Sequence, residues 1–106
     1  MPRGLFVTGT DTGVGKTQVA CALMRALALR GDSVAGMKPV ASGCHATSAG
    51  LRSADAEALW GETSIAVGYD DINPYAFAPP TAPHLAAAAS GIEVRIAEIA
   101  VRYAKL

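Results

Sequence analysis

Two cysteines in 106 residues are too few for a disulfide framework. Their settings, Cys21 inside an apolar segment and Cys44 in a stretch rich in Gly, Ser and His, match no zinc-ligand spacing either. Both are expected as reduced thiols. An excess of charge is also missing: nine basic and nine acidic side chains cancel, so the overall balance draws the chain neither to a nucleic-acid backbone nor to an anionic membrane surface. A small, locally charged ligand suits it better. Nor is there a long apolar run. The nearest candidate, residues 19–29, contains Arg25, has no basic segment before it and is too short to span a bilayer. Without a targeting signal the expected setting is the cytoplasm. A chain of this length is one domain at most, burying somewhat under about 70% of its extended surface.

What the chain does contain is an alternation of short apolar runs and helical patterns. Leu5-Phe6-Val7-Thr8, followed by Gly9, suits a strand buried on both faces of a parallel sheet. Residues 16–30 are good helix formers, with Val19, Leu23 and Leu27 on one stripe, Ala20 and Met24 beside it, and Gly31 as a stop. That pattern predicts a buried crossover helix. Residues 33–37 read as a second strand ended by Pro39, and residues 40–52 as a loop. Ser53 is placed to cap a helix running to about Trp60, within which the indole is expected to be packed. The four prolines in residues 73–83 predict a turn-rich connection. An alanine-rich helix over residues 84–90, stopped by Gly91, and a last helix from about Glu93, with Ile92, Ile96, Ile99 and Tyr103 on one face, complete the reading.

The fold class is therefore α/β, a P-loop-like parallel sheet with flanking helices. Two strands are few for so many apolar helix faces, and the chain stops within a helical pattern. The expectation is a partial polypeptide, residues 1–106 forming the N-terminal part of a single domain.

The chemistry concentrates in Gly9-Thr10-Asp11-Thr12-Gly13-Val14-Gly15-Lys16-Thr17. Phosphate oxygens need several backbone N–H donors pointing inward, and a glycine loop that opens a helix supplies them together with the positive end of the helix dipole. In such a loop the lysine reaches the β- and γ-phosphates and the adjacent hydroxyl binds Mg²⁺. Those residues are Lys16 and Thr17. The strict pattern wants glycine at position 10, where Thr10 stands one residue after Gly9; the strand before and helix after supply the context that confirms such loops. Lys38 follows the second expected strand, and ligands of open parallel sheets bind outside the carboxyl ends of strands. By position alone a surface lysine at a strand end is the favoured reading, and the βαβ context with the following Pro39-Val40-Ala41-Ser42-Gly43 loop brings a site role level with it. Asp55 falls in the first turn of a predicted helix, where a carboxylate also complements the dipole. Glu57, Glu62, Asp70 and Asp71 read as solvated, and His45 and His84 as lone structural histidines.

Phe6-Val7-Thr8-Gly9-Thr10-Asp11-Thr12, Val14-Gly15-Lys16-Thr17 and Lys38-Pro39-Val40-Ala41-Ser42-Gly43 together resemble the dethiobiotin synthetases of biotin biosynthesis. Gly50-Leu51-Arg52 with Asp55, Asn73-Pro74-Tyr75 and Pro83-His84 extend the resemblance over nearly the whole chain. It implies a Mg²⁺- and ATP-dependent ring closure that joins 7,8-diaminononanoate and CO₂ into a cyclic urea, releasing ADP and phosphate. By the same resemblance Thr12, Gly13, Val14, Gly15, Lys16, Thr17, Gln18 and Asp55 would hold ATP. Thr17 and Asp55 would bind Mg²⁺, Lys38 would be catalytic and Ser42 would touch substrate. Gly13 replaces a glutamate found in some relatives. The family is about twice this length and is expected as a homodimer; its later half supplies a second glycine-rich strand end with another metal carboxylate, so this chain alone is expected to be inactive. A partition-type ATPase and a non-catalytic nucleotide-binding fragment are the alternatives. The first would carry a lysine where Asp11 stands.

Lys16→Ala is expected to abolish detectable nucleotide binding in calorimetry while leaving the helical content nearly unchanged. Charge-assisted contacts of this kind are worth roughly 1.5–3 kcal/mol, so unchanged ATP affinity would remove the phosphate-loop assignment.

Overall fold

The computed structural model of the chain describes Gly4, residues 14–81 and residues 83–106. The described elements are α1 (Val14–Leu29), β1 (Val40–Ala41), β2 (His45–Thr47), β3 (Gly50–Arg52), α2 (Ala54–Glu62), α3 (Tyr69–Ile72), β4 (Tyr75–Ala76), α4 (Pro83–Ser90) and α5 (Ile96–Ala104). β1 pairs with β4 in parallel, Val40 opposite Tyr75, and β2 with β3 as an antiparallel hairpin. This is a small, partial α/β arrangement with a parallel pair flanked by helices. The expected strand at Leu5–Thr8 and the phosphate loop through Gly13 lie outside the described residues.

α1 ends as its sequence predicts. Gly31, at φ +101°, donates its N–H to the Ala28 carbonyl, and Asp32 donates to Leu27, the paired bonds of a left-handed glycine stop. Its buried face differs from the expected stripe. Val19 is exposed, and the packed ridge runs through Ala20, Met24 and Ala28, spaced four apart, with Cys21 and Leu27 beside it. The alanines on that ridge leave room for α2 to seat Ala56 and Leu59 against Met24. Val34, Tyr69 and Ile72 close this core, and a second cluster joins Phe77 to Ala86 and Ala87 of α4.

Residues 33–37 form no ladder among the described residues. One edge of this segment is satisfied by side-chain hydroxyls instead: Val34 N donates to Ser64 Oγ at 2.8 Å and Gly36 N to Thr63 Oγ1 at 3.2 Å. The parallel ladder starts at Val40, and the chain is already bonded to its partner segment at Lys38, whose N–H meets the Ile72 carbonyl, and at Pro39, whose carbonyl accepts from Tyr75 N. The expected loop over residues 40–52 therefore holds a strand and a hairpin, and the proline-rich connection holds β4. Its Asn73–Pro74–Tyr75 stretch is pinned by partners distant in sequence, which composition does not reveal.

α5 starts three residues later than expected, since Arg95 is still extended and gives its N–H to the Tyr75 hydroxyl. Its apolar face is largely open: Ile96 is 82% exposed and Tyr103 58%. Polar contacts dock the helix. Arg102 donates to Asp71 Oδ1 of α3 at 3.1 Å and also to Glu98 at 3.0 Å, and Lys105 lies 3.7 Å from Asp71. The Arg102 guanidinium holds the Asp71 carboxyl below its ordinary value, so Asp71 is a docking point and not the solvated residue its surroundings in sequence suggested. Trp60 is only partly packed, its edge on Tyr69 and its Nε1 donating to the Val67 carbonyl.

Gly36 sits where α1 and α2 close on the segment before Lys38. A Cβ there would lie 3.0 Å from both Leu59 Cβ and Met24 Sδ. Gly36→Ala is expected to cost about 1–3 kcal/mol through overpacking, measured by urea denaturation; a variant as stable as the parent would show that the helices give way freely.

Candidate functional site

The parallel pair builds the floor of the site. Segment 38–44 is bonded along its length to segment 72–79: Lys38 N donates to the Ile72 carbonyl at 2.8 Å, Phe77 N to Ala41 at 2.8 Å and Cys44 N to Phe77 at 2.9 Å. Gly43 N closes the series on Pro79 at 3.0 Å, and its φ of +65° turns the chain in a way that favours glycine. Lys38 and Ser42 thus stand near the two ends of one short, anchored stretch. Cys44 is buried here, which its Gly-, Ser- and His-rich surroundings in sequence did not signal, and burial raises its thiol above its ordinary value.

α2 supplies the opposing charge. Ser53, extended at φ −95° and ψ 132°, accepts the Ala56 N–H on its Oγ at 3.3 Å and so caps the helix as predicted. Asp55 then falls in the first turn, where the helix dipole favours a carboxylate. Lys38 Nζ donates to Asp55 Oδ2 at 3.1 Å, with the two side chains 35% and 34% exposed.

Lys38, Ser42, Gly43, Ser53, Asp55, Pro80, Thr81 and Pro83 line one open cleft of about 640 Å³. Three residues selected from sequence, Lys38, Ser42 and Asp55, meet there. Lys16, Thr17 and Gln18 lie in the first turns of α1 and are not among the cleft's lining residues. Thr12 and Gly13 lie outside the described residues; Val14 and Gly15 open α1. α1 and α2 pack together through Met24, Ala56 and Leu59, with Cys21 partly buried against the same cluster; burial raises the Cys21 thiol above its ordinary value. Thr17 lies on α1 and Asp55 on α2, and they offer a hydroxyl and a carboxylate. Such hard oxygen donors fit Mg²⁺, which is usually held by one or two carboxylates plus a substrate's phosphates. Among the described residues no group of three or more His, Cys, Asp or Glu side chains is placed to hold a metal.

Sequence reasoning missed Thr81 and Pro80 as cleft walls and found Ser53 only as a cap. The proline cluster signalled a turn but not which way it faced. It also missed Tyr69 and the buried role of Asn73, for which no local pattern exists.

The chain matches the family described as AAA domain over residues 3–106. It is 54% identical over 94 residues to the ATP-dependent dethiobiotin synthetase BioD of Pseudomonas paraeruginosa, covering 89% of this chain and 41% of that protein. The proteins of the same name from Nitrosospira multiformis, at 54% over 94 residues (89% of this chain, 40% of that one), and Xanthomonas oryzae pv. oryzae, at 47% over 105 residues (99% and 47%), are similar to it as well. The chain thus spans less than half the length of these curated relatives. No helix of the described residues is long and apolar enough to cross a membrane.

An ion pair exposed by a third contributes about 0.2–1 kcal/mol, too little to explain the Lys38–Asp55 pair as a device for stability. A double-mutant cycle with Lys38→Ala and Asp55→Ala, read by urea denaturation, is expected to give a coupling under about 1 kcal/mol. A coupling of about 3 kcal/mol or more would mark a buried structural pair instead.

Proposed function

The chain belongs to the AAA-domain family, and we propose from that premise that it is the nucleotide-binding N-terminal part of an ATP-dependent dethiobiotin synthetase. The meeting of Lys38, Ser42 and Asp55 in one cleft carries this reading. The relatives bearing that name align across 89% or more of the chain in the three comparisons given above, which supports it independently.

In this reading Gly13 to Gln18 hold the phosphates of ATP, Thr17 and Asp55 hold Mg²⁺, and Ser42 contacts the diamine. ATP supplies the phosphoryl group that activates a carbamate made from CO₂ and one amine of 7,8-diaminononanoate. The second amine then attacks the activated carbamate carbon and closes the cyclic urea; phosphate leaves with the carbamate oxygen, and the amines release protons alongside ADP and phosphate. Negative charge accumulates on the carbamate and on the transferred oxygens. Lys38 is a fixed ammonium at the cleft, and a preorganised donor aimed at developing charge lowers the barrier without reorganisation. Its pairing with Asp55 holds the side chain in place before substrate arrives. Mg²⁺, a homodimer in the full-length form and a cytoplasmic setting belong to the same reading and rest on the resemblance. The balanced charge of the chain supports a small-molecule substrate over nucleic acid or membrane.

The test is turnover of 7,8-diaminononanoate, bicarbonate and MgATP by a full-length protein carrying this segment. Lys38→Ala is expected to lower kcat roughly 10²- to 10³-fold, as loss of a charge-stabilising donor does, with a much smaller change in ATP affinity. Failure of the parent to make dethiobiotin would overturn the reading, and near-normal turnover by the variant would remove Lys38 from catalysis.

A further inference from the structure

Behind the cleft a buried polar chain joins the two segments that carry Lys38 and Asp55. Asn73 is 2% exposed and uses every polar atom of its amide: Nδ2 donates to the Lys38 carbonyl at 2.8 Å and to the Tyr75 carbonyl at 3.0 Å, and Oδ1 accepts the Tyr69 hydroxyl at 2.9 Å. The same Tyr69 hydroxyl accepts the N–H of Ser53, the cap of α2, at 2.8 Å. An unbroken series of hydrogen bonds therefore runs from the backbone of Lys38 through Asn73 and Tyr69 to Ser53, two residues before Asp55. Neither Asn73 nor Tyr69 lines the cleft.

One amide and one phenol serve the backbone groups of Lys38, Tyr75 and Ser53 together. Burial raises the Tyr69 hydroxyl above its ordinary value, which keeps it protonated and able to donate to Asn73 while it accepts from Ser53. Its ring packs in one cluster with the Trp60 ring, edge-on at 5.8 Å, and the Arg52 guanidinium, 4.4 Å from its centroid. Its hydroxyl is tied at once to Asn73 and to the cap, so a shift of one is passed to the other.

We propose that Asn73 and Tyr69 are positioning residues for the reaction, fixing the backbone of Lys38 relative to the N-terminus of α2 so that the ammonium and the Asp55 carboxylate are preset across the cleft. This rests on the proposed function for its catalytic consequence, but the geometry it predicts is measurable without turnover. The consequence is large because catalytic groups displaced by about 1 Å can lose on the order of a hundredfold in rate.

The test has two arms. In the 106-residue chain the ¹³Cε NMR signal of Lys38, assigned with Lys38→Arg among the lysines, is compared between the parent, Asp55→Asn, Tyr69→Phe and Asn73→Ala. Asp55→Asn marks the unpaired position, and both relay variants are expected to move the signal more than halfway toward it. In the full-length protein Tyr69→Phe is expected to lower kcat roughly tenfold or more while KM for ATP changes less than kcat. The rates are taken well below the variant's own melting temperature, where lost stability alone leaves kcat per folded molecule unchanged. Tyr69→Phe keeps the ring and removes only the hydroxyl, so it decides the matter if Asn73→Ala does not fold. A Lys38 signal at the parental position, an unchanged kcat, or a Tyr69→Phe chain that cannot fold would each assign the relay to stability and overturn the proposal. A parental protein that makes no dethiobiotin while the signal still moves would overturn the functional reading and leave the positioning intact.

Discussion

A buried amide has to find partners for two donors and one acceptor, and Asn73 finds them on Tyr69 and Tyr75 of its own stretch and on Lys38, 35 residues away. An amide left unpaired in the interior costs about 1–3 kcal/mol, so the fold around it is constrained to bring the Lys38 segment against this stretch. That constraint orders much of the described structure. Lys38 must lie beside Ile72 and Tyr75, which sets the parallel register of Val40 against Tyr75. Tyr69 must lie beside the cap of α2, which aims the first turn of that helix, and Asp55 with it, at the same end of the strand pair.

The apolar contacts fit around this frame without dictating it. Met24, Ala56, Leu59 and Ile72 bring α1, α2 and α3 together, and burial of this kind supplies energy at about 25 cal/mol per Å² without direction. Direction comes from the polar links. The hydroxyls of Thr63 and Ser64 hold the segment before Lys38, Asn73 holds Lys38 itself, and Gly43 turns the chain away after Ser42. A cleft with a fixed ammonium, a carboxylate and a hydroxyl results from satisfying backbone donors as much as from filling a core.

What the sequence disclosed follows the range of the interactions. Local signals were legible: Gly31 stops α1, Ser53 caps α2, Pro83 opens α4 and Gly91, at φ +68°, follows its end. Residues that share a pattern with a known family were legible as well, and the structure gathers Lys38, Ser42 and Asp55 in one place. Long-range pairing was not. β4 lies in a proline-rich stretch, and its partner strand begins after Pro39 where a proline signals an end; only the non-local ladder makes either a strand. The stripe on α1 was read about one position off because an alanine ridge seen alone is too weakly apolar to outweigh Val19 and Leu23.

The exposed face of α5 shows how far such reasoning carries. Its amphipathic pattern is clear in the sequence, and a stripe of that kind normally marks a face turned to the core. Here Ile96 and Tyr103 are exposed, and the helix is held through Arg102 and Lys105 on Asp71. Ion pairs at partly exposed sites are individually weak, and no residue of α5 is buried. α2 stands at the other extreme, with Ala56 and Leu59 buried and its cap tied into the polar chain. Lys38 and Asp55 are carried by α2, α3 and the strand pair. α5 touches that frame at two points, Arg102 on Asp71 of α3 and the N–H of its cap Arg95 on the Tyr75 hydroxyl of β4, while Tyr69 and Ile72 are anchored by the core and by Asn73.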